Sequence, residues 1–203
     1  MVKSVLPAPV RVASWLLLGL FAVGALLVVA GVIELNYLDA NLPIVEQKST
    51  FLAEAQKSAG RMHDSAALAV GLGSIDMLGA LLFWPVLVYG LRWGRALILI
   101  FLSFVAVCHV LLIVQDGTIG VIPYEDMSHD LAQQDLINSL LVAPGYFLML
   151  YPAESAGLIL AVLIGWRMLQ DSTIDHFQRR RRVTTDRVWD VSEILAKRQN
   201  GVA

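Results

Sequence analysis

Residues 12–33 read VASWLLLGLFAVGALLVVAGVI, without a single charge. A bilayer core of about 30 Å takes about 20 apolar helical residues to cross, so this stretch decides the class of the chain: it is an integral membrane protein. Three further stretches repeat the pattern. One runs from about Ala66 to Leu91 and is interrupted only by Asp76; another runs from about Ala96 to Val114 and contains His109. The last ends near Trp166 and begins between Asn138 and Tyr146, its start blurred by the helix breaker Pro144-Gly145. In hydrocarbon the backbone must satisfy its own hydrogen bonds, so all four are read as helices.

The expected fold is therefore all-α: a four-helix transmembrane bundle with helices at about 12–33, 66–91, 96–114 and 140–168. External loops cover 35–65 and 116–138, a cytoplasmic arm covers 1–11, and a basic, amphipathic cytoplasmic tail covers 169–203. Composition agrees. Of 203 residues, 57% are hydrophobic and 16% charged, where soluble domains carry about 25% charged residues. Mean hydropathy is +0.67. An ordinary soluble enzyme and a disordered chain are both excluded. The net charge of −2 predicts no nucleic-acid partner. The lone cysteine, Cys108, excludes an internal disulfide and a four-cysteine zinc site.

Flanking charge sets the orientation. Lys3, Arg11, Arg92, Arg95 and the tail residues from Arg167 to Arg198 put twelve positive residues on one side; Lys48, Lys57 and Arg61 are the three on the other. Both termini are thus expected in the cytoplasm, with Trp15, Trp93 and Trp166 at the cytoplasmic boundary. The first apolar run is longer than the roughly 7–15 residues of a signal-peptide core and lacks a small-x-small site after it, so an uncleaved helix is expected. Arginine outnumbers lysine, and Ala, Leu and Val are abundant. This is the composition of a GC-rich bacterial genome, and it makes a bacterial plasma (inner) membrane the expected location.

The flanking segments carry helical patterns too. Asn41 is placed to cap a helix from Leu42-Pro43 to Gly60, with Ile44, Phe51, Leu52, Ala55 and Ala59 at helical spacing. It either rests on its own bundle or caps a partner. The second loop is acidic, with Asp116, Glu125, Asp126, Asp130 and Asp135 around His129, but its spacing matches no calcium loop and it reads as a solvated face. Ser128 is placed to cap a short helix from His129 to Ala143, with Leu131, Leu136, Ile137 and Leu140 on its apolar side. In the tail, Arg179, Arg180, Arg181 and Arg182 form a cluster that attracts anionic lipid headgroups. An amphipathic helix from about Asp186 to Gln199 follows, suited to the membrane surface or to a partner.

Three ionisable residues fall inside the spans: Asp76, His109 and Glu154. Such a group near the bilayer centre costs about 2.5–3.5 kcal/mol on insertion scales, so each needs a reason to be there. At 1.5 Å per residue they lie roughly 20, 21 and 18 Å above the cytoplasmic edge. Three readings fit: a proton relay or cation-binding site, mutual hydrogen bonds that fix helix register, or pairing with polar groups of another subunit. On the fourth helix Ala153, Gly157, Ala161 and Gly165 make a strip of small residues that lets helix backbones approach, inside the bundle or against a partner. Ala69 and Gly73 repeat the pattern on the second helix.

No P-loop, dinucleotide fingerprint, HExxH, CxxC or GxSxG is present. His109 is the one histidine well inside a span and His63 falls just outside the second, so no haem and no other cofactor is expected. The expected function is non-catalytic: an accessory subunit or assembly factor, held in a larger membrane-protein complex through helix four and the amphipathic segments. The alternative is a small transporter or proton-coupled carrier that uses Asp76, His109 and Glu154.

Overall fold

A computed structural model of the chain describes residues 6–49, 51–91, 93–119 and 131–178. All regular structure among the described residues is helical: α1 (Ala8–Lys48), α2 (Leu52–Tyr89), α3 (Gly94–Ile119), α4 (Leu131–Leu141) and α5 (Tyr146–Met168), then a short α6 over 171–178. Four of these, α1, α2, α3 and α5, are long and apolar enough to cross a membrane. They alternate in direction. One end of the bundle holds the starts of α1 and α3 and the ends of α2 and α5, and is called the terminal end; the other is the hairpin end. Each has its own core, built around Leu17, Leu87, Ile98 and Ile164 at the terminal end and around Leu38, Met62, Ile137 and Leu150 at the hairpin end.

The spans continue past the limits their hydropathy sets. At 1.5 Å per residue, α1 is roughly 60 Å long and α2 roughly 57 Å, against about 39 Å for α3 and 35 Å for α5. The expected separate helix from Leu42 to Gly60 does not exist. α1 ends at Lys48 and α2 starts at Leu52 instead, so Ile44 belongs to α1 while Leu52, Ala55 and Ala59 belong to α2. Asn41 is no cap; it lies within α1, and its Nδ2 donates to the Tyr37 carbonyl at 2.9 Å. Pro43 sits inside α1, where its missing N–H and ring clash cost about 3 kcal/mol. The helix runs through because its buried stripe does. Leu27, Ala30, Glu34 and Leu38 before the proline and Val45 after it are all buried, so the hairpin packs without interruption against Ala55, Ala59, Met62, Ala66 and Ala69.

Small residues bring α1 and α2 together. A Cβ on Gly24 would lie 2.6 Å from the Gly73 carbonyl oxygen, and one on Gly31 would lie 2.6 Å from the Ala66 carbonyl oxygen. Two such approaches seven residues apart put one face of α1 directly on the backbone of α2, and this is the most extensive helix pair of the fold. The strip on α5 is also turned inward. Ala153, Gly157 and Ala161 are buried, and only Gly165, at the terminal end, has open space in front of it.

Pro144-Gly145 forms a corner rather than a kink. α4 ends at Leu141, Gly145 takes φ +82°, and α5 starts at Tyr146. A positive φ of this kind is adopted readily only by glycine. Tyr37 holds the corner from α1 by donating its hydroxyl to the Ser139 carbonyl at 2.6 Å. On α4, Ile137 and Leu141 are the buried residues, whereas Leu131 and Leu136, expected on the apolar side, are exposed.

At the terminal end Arg95 Nε donates to the Met168 carbonyl at 3.0 Å. α6 folds back so that His176 Nε2 donates to the Leu87 carbonyl at 3.1 Å and Phe177 enters the core. Trp15, Trp93 and Trp166 are all exposed. The arginine cluster 179–182, the tail helix, Lys3, Arg92, Glu125, Asp126, Ser128, His129 and Asp130 lie outside the described residues.

Candidate functional site

Asp76 continues the inward stripe of α2, with Ala69, Leu72, Gly73 and Ala80. His109 continues that of α3, with Leu102, Val105 and Leu112. The two meet: His109 Nε2 and Asp76 Oδ2 are 3.0 Å apart, and both side chains are 0% exposed. The third wall is α5. Its Gly157 lies against the His109 ring so closely that a Cβ there would strike the ring. One residue of the small strip therefore makes room for the histidine.

Glu154 is buried as well, but it does not join this pair. It faces Asp116, which lies on α3 two turns beyond His109. Asp116 was expected in a solvated loop; it is instead wholly buried near the end of α3. Its Oδ1 accepts from the Ser65 hydroxyl at 2.6 Å, and the Ser65 oxygen is 3.2 Å from the Tyr146 hydroxyl. Beyond them, Glu34 Oε2 accepts from the Ala143 backbone N–H at 2.8 Å, in the α4–α5 corner.

From mid-bundle to the hairpin end, then, the interior holds Asp76 and His109, then Glu154 and Asp116, then Ser65, Tyr146 and Glu34. Toward the terminal end it is closed by Leu17, Leu20, Leu87, Ile98, Leu102 and Ile164. The polar column is one-sided. Among the described residues no Lys or Arg is buried beside it. Several of its atoms have no hydrogen-bond partner among the described residues: Glu34 Oε1, Asp76 Oδ1 and His109 Nδ1. Ionised carboxylates only accept hydrogen bonds, so two that face each other are joined by a proton or a cation between them.

Of the site residues expected from sequence, Asp76 and His109 are brought together and Glu154 is set with a different partner. All three are buried within this chain. Glu34, Ser65, Asp116 and Tyr146 were missed. The available signal was the spacing of seven between His109 and Asp116, which keeps both on one helix face. Cys108 is half-buried and lines a groove of about 350 Å³ between α2 and α3 with Gly71, Ile75, Leu111 and Gln115. His63 lies within α2 on its extension and is exposed. No three His, Cys, Asp or Glu among the described residues are grouped as metal ligands. No family model, curated protein or solved structure matches this chain.

Proposed function

We propose that the protein is a small proton-coupled membrane carrier whose interior carboxyl column exchanges protons with the side of the membrane at the hairpin end. One observation carries this reading: Glu34, Asp76, His109, Asp116 and Glu154 are all wholly buried along one path, with no buried Lys or Arg among the described residues. Interhelical hydrogen bonds average only about 0.6 kcal/mol, while each intramembrane ionisable group costs several times that. A purely architectural role would be served by Ser, Thr or Asn at less expense, so titratable side chains in this number favour proton uptake. Because flanking Lys and Arg assign the hairpin end to the outside, protons enter from the outside. The apolar plug at the terminal end makes a static through-channel the poorer description and favours a carrier that must rearrange to release them.

An accessory role in a larger complex is the second reading. Leu97, Ile100, Phe104, Val107, Leu111 and Val114 are exposed along one whole side of α3, which packs on α5 and α2 alone among its more extensive contacts. That side can face lipid or a partner's helix.

Proteoliposomes enclosing a pH-sensitive dye test the proposal. Under an imposed pH gradient with charge compensation, the wild-type protein is expected to collapse the gradient faster than protein-free vesicles. Asp76→Asn and Glu154→Gln are expected to remove most of that difference while reconstituting equally well. Wild-type vesicles that match empty ones, together with recovery of a stoichiometric partner from native membranes, would turn the conclusion to the accessory reading.

A further inference from the structure

α6 lies as a strap across the terminal end. Leu169 and Gln170 form the joint between α5 and α6, and the Thr173 hydroxyl donates back across it to the Arg167 carbonyl at 2.9 Å. One turn on, His176 Nε2 donates to the Leu87 carbonyl at 3.1 Å, one of the last carbonyls of α2, which lack a donor within their own helix. Gly90 is pressed against the same side chain: its φ is +62°, and a Cβ there would lie 2.9 Å from His176 Nε2. Phe177 enters the terminal core with its ring edge-on to that of His176. It also covers the start of α3, where a Cβ on Gly94 would lie 3.7 Å from the Phe177 ring. The eight residues after the joint therefore bind the end of α2 and cover the start of α3.

Few contacts hold this strap down. Thr173 and Phe177 are its buried residues, whereas Asp171, Ser172, Asp175 and Gln178 are exposed. A helix shorter than about 12 residues is marginal in water on its own, so α6 owes its order to the docked Phe177 ring and to hydrogen bonds with helix-end carbonyls. Water can replace the donors to those carbonyls, and elements held in this way are the ones that open locally. Leu87 couples the strap to the plug: its carbonyl is held by His176, and its side chain is wholly buried among Leu17, Ile98 and Ile164. We propose that α6 is the gate of the terminal end: when Phe177 undocks and the strap swings on the 169–170 joint, the end of α2 is freed and the apolar plug opens. This deepens the carrier reading by naming the part that moves for proton release; it rests on that reading for the purpose of the opening and not for the opening itself.

Hydrogen exchange of the full chain in mild detergent, read by mass spectrometry, tests the gate. In the wild type the amides of α6 and those of residues 86–91 are expected to exchange together, ahead of the mid-bundle amides around Asp76 and His109. Phe177→Ala should speed both segments by at least about tenfold, because truncating a buried aromatic ring weakens its docking by more than the free energy of one decade. Phe177→Leu, which keeps an apolar side chain, should speed them less and serves if the alanine variant does not fold. Asp175→Asn, at an exposed carboxylate of α6, should change neither segment. In proteoliposomes Phe177→Ala is expected to carry protons faster than the wild type. Faster exchange in α6 with residues 86–91 unchanged would overturn the inference, since the strap would then fray without opening the plug. Coupled exchange without proton flux in either protein would keep the gate and remove the carrier reading; flux in the wild type with uncoupled exchange would do the reverse.

Discussion

His109→Ala is expected to destabilise the fold by about 3–5 kcal/mol, the usual result of truncating a buried ring to alanine while leaving its hydrogen-bond partner unsatisfied. The substitution leaves Asp76 in the bundle interior with neither carboxyl oxygen satisfied, because Oδ1 already lacks a partner and Oδ2 has His109 alone. It also empties the space that Gly157 keeps for the ring, so a cavity cost adds to the electrostatic one. At about 2–4 °C per kcal/mol for a chain of this size, the Tm in detergent should fall by about 6–20 °C. The double variant Asp76→Leu/His109→Leu should recover most of that loss, since apolar residues of similar volume commonly replace a buried pair without penalty. It should nevertheless carry no protons. A His109→Ala protein that melts within about 2 °C of the wild type would mean that the pair is not the buried contact described.

The second large effect is expected where α1 crosses α2. A Cβ at Gly24 would lie 2.6 Å from the Gly73 carbonyl oxygen and 2.9 Å from Asp76 Cβ. Neither neighbour can rotate away, because one is backbone and the other is the first atom of a side chain held by His109. Gly24→Val and Gly73→Val should therefore each cost about 3 kcal/mol or more, at or above the top of the usual range for overpacking. The damage should also reach the site, since separating the helices carries Asp76 away from His109. Gly71 on α2 is the internal control. Nothing lies within 4 Å of a Cβ there, so Gly71→Ala should be neutral or stabilise by up to about 1 kcal/mol through helix propensity. Folded yield and Tm of the three variants, measured side by side, distinguish close helix approach from general intolerance of glycine replacement.

Hydropathy made the four spans legible, and it failed where the helices leave the apolar window. The extensions of α1 and α2 carry Glu46, Gln47, Glu54 and Lys57 on their outward sides, so they read as a loop with its own helix. What keeps α1 intact through Pro43 is the stripe it buries against α2, a tertiary fact that no local pattern states. Depth arithmetic placed Asp76, His109 and Glu154 at nearly one height, yet the fold pairs only Asp76 with His109. The reason is the direction of the side chains. Each Cα–Cβ bond tilts toward its own helix's N-terminus, so on antiparallel helices His109 leans toward the terminal end while Asp76 and Glu154 lean toward the hairpin end. Asp76 thus reaches His109 from below. Glu154 leans past it toward Asp116, two turns further along α3. Asp116 was hidden by its company, because four further acidic residues in the following segment made it look like part of a solvated run.

The proposed carrier works only if its buried carboxyl column binds and releases protons. Infrared difference spectroscopy of the reconstituted protein, stepped between mildly acidic and mildly alkaline pH, observes those protons directly through the stretch of protonated carboxyl groups. The wild type is expected to give a carboxyl signal that changes with pH and loses a component in both Glu154→Gln and Asp116→Asn. A signal that does not respond to pH, or that is the same in the wild type and both variants, would contradict it.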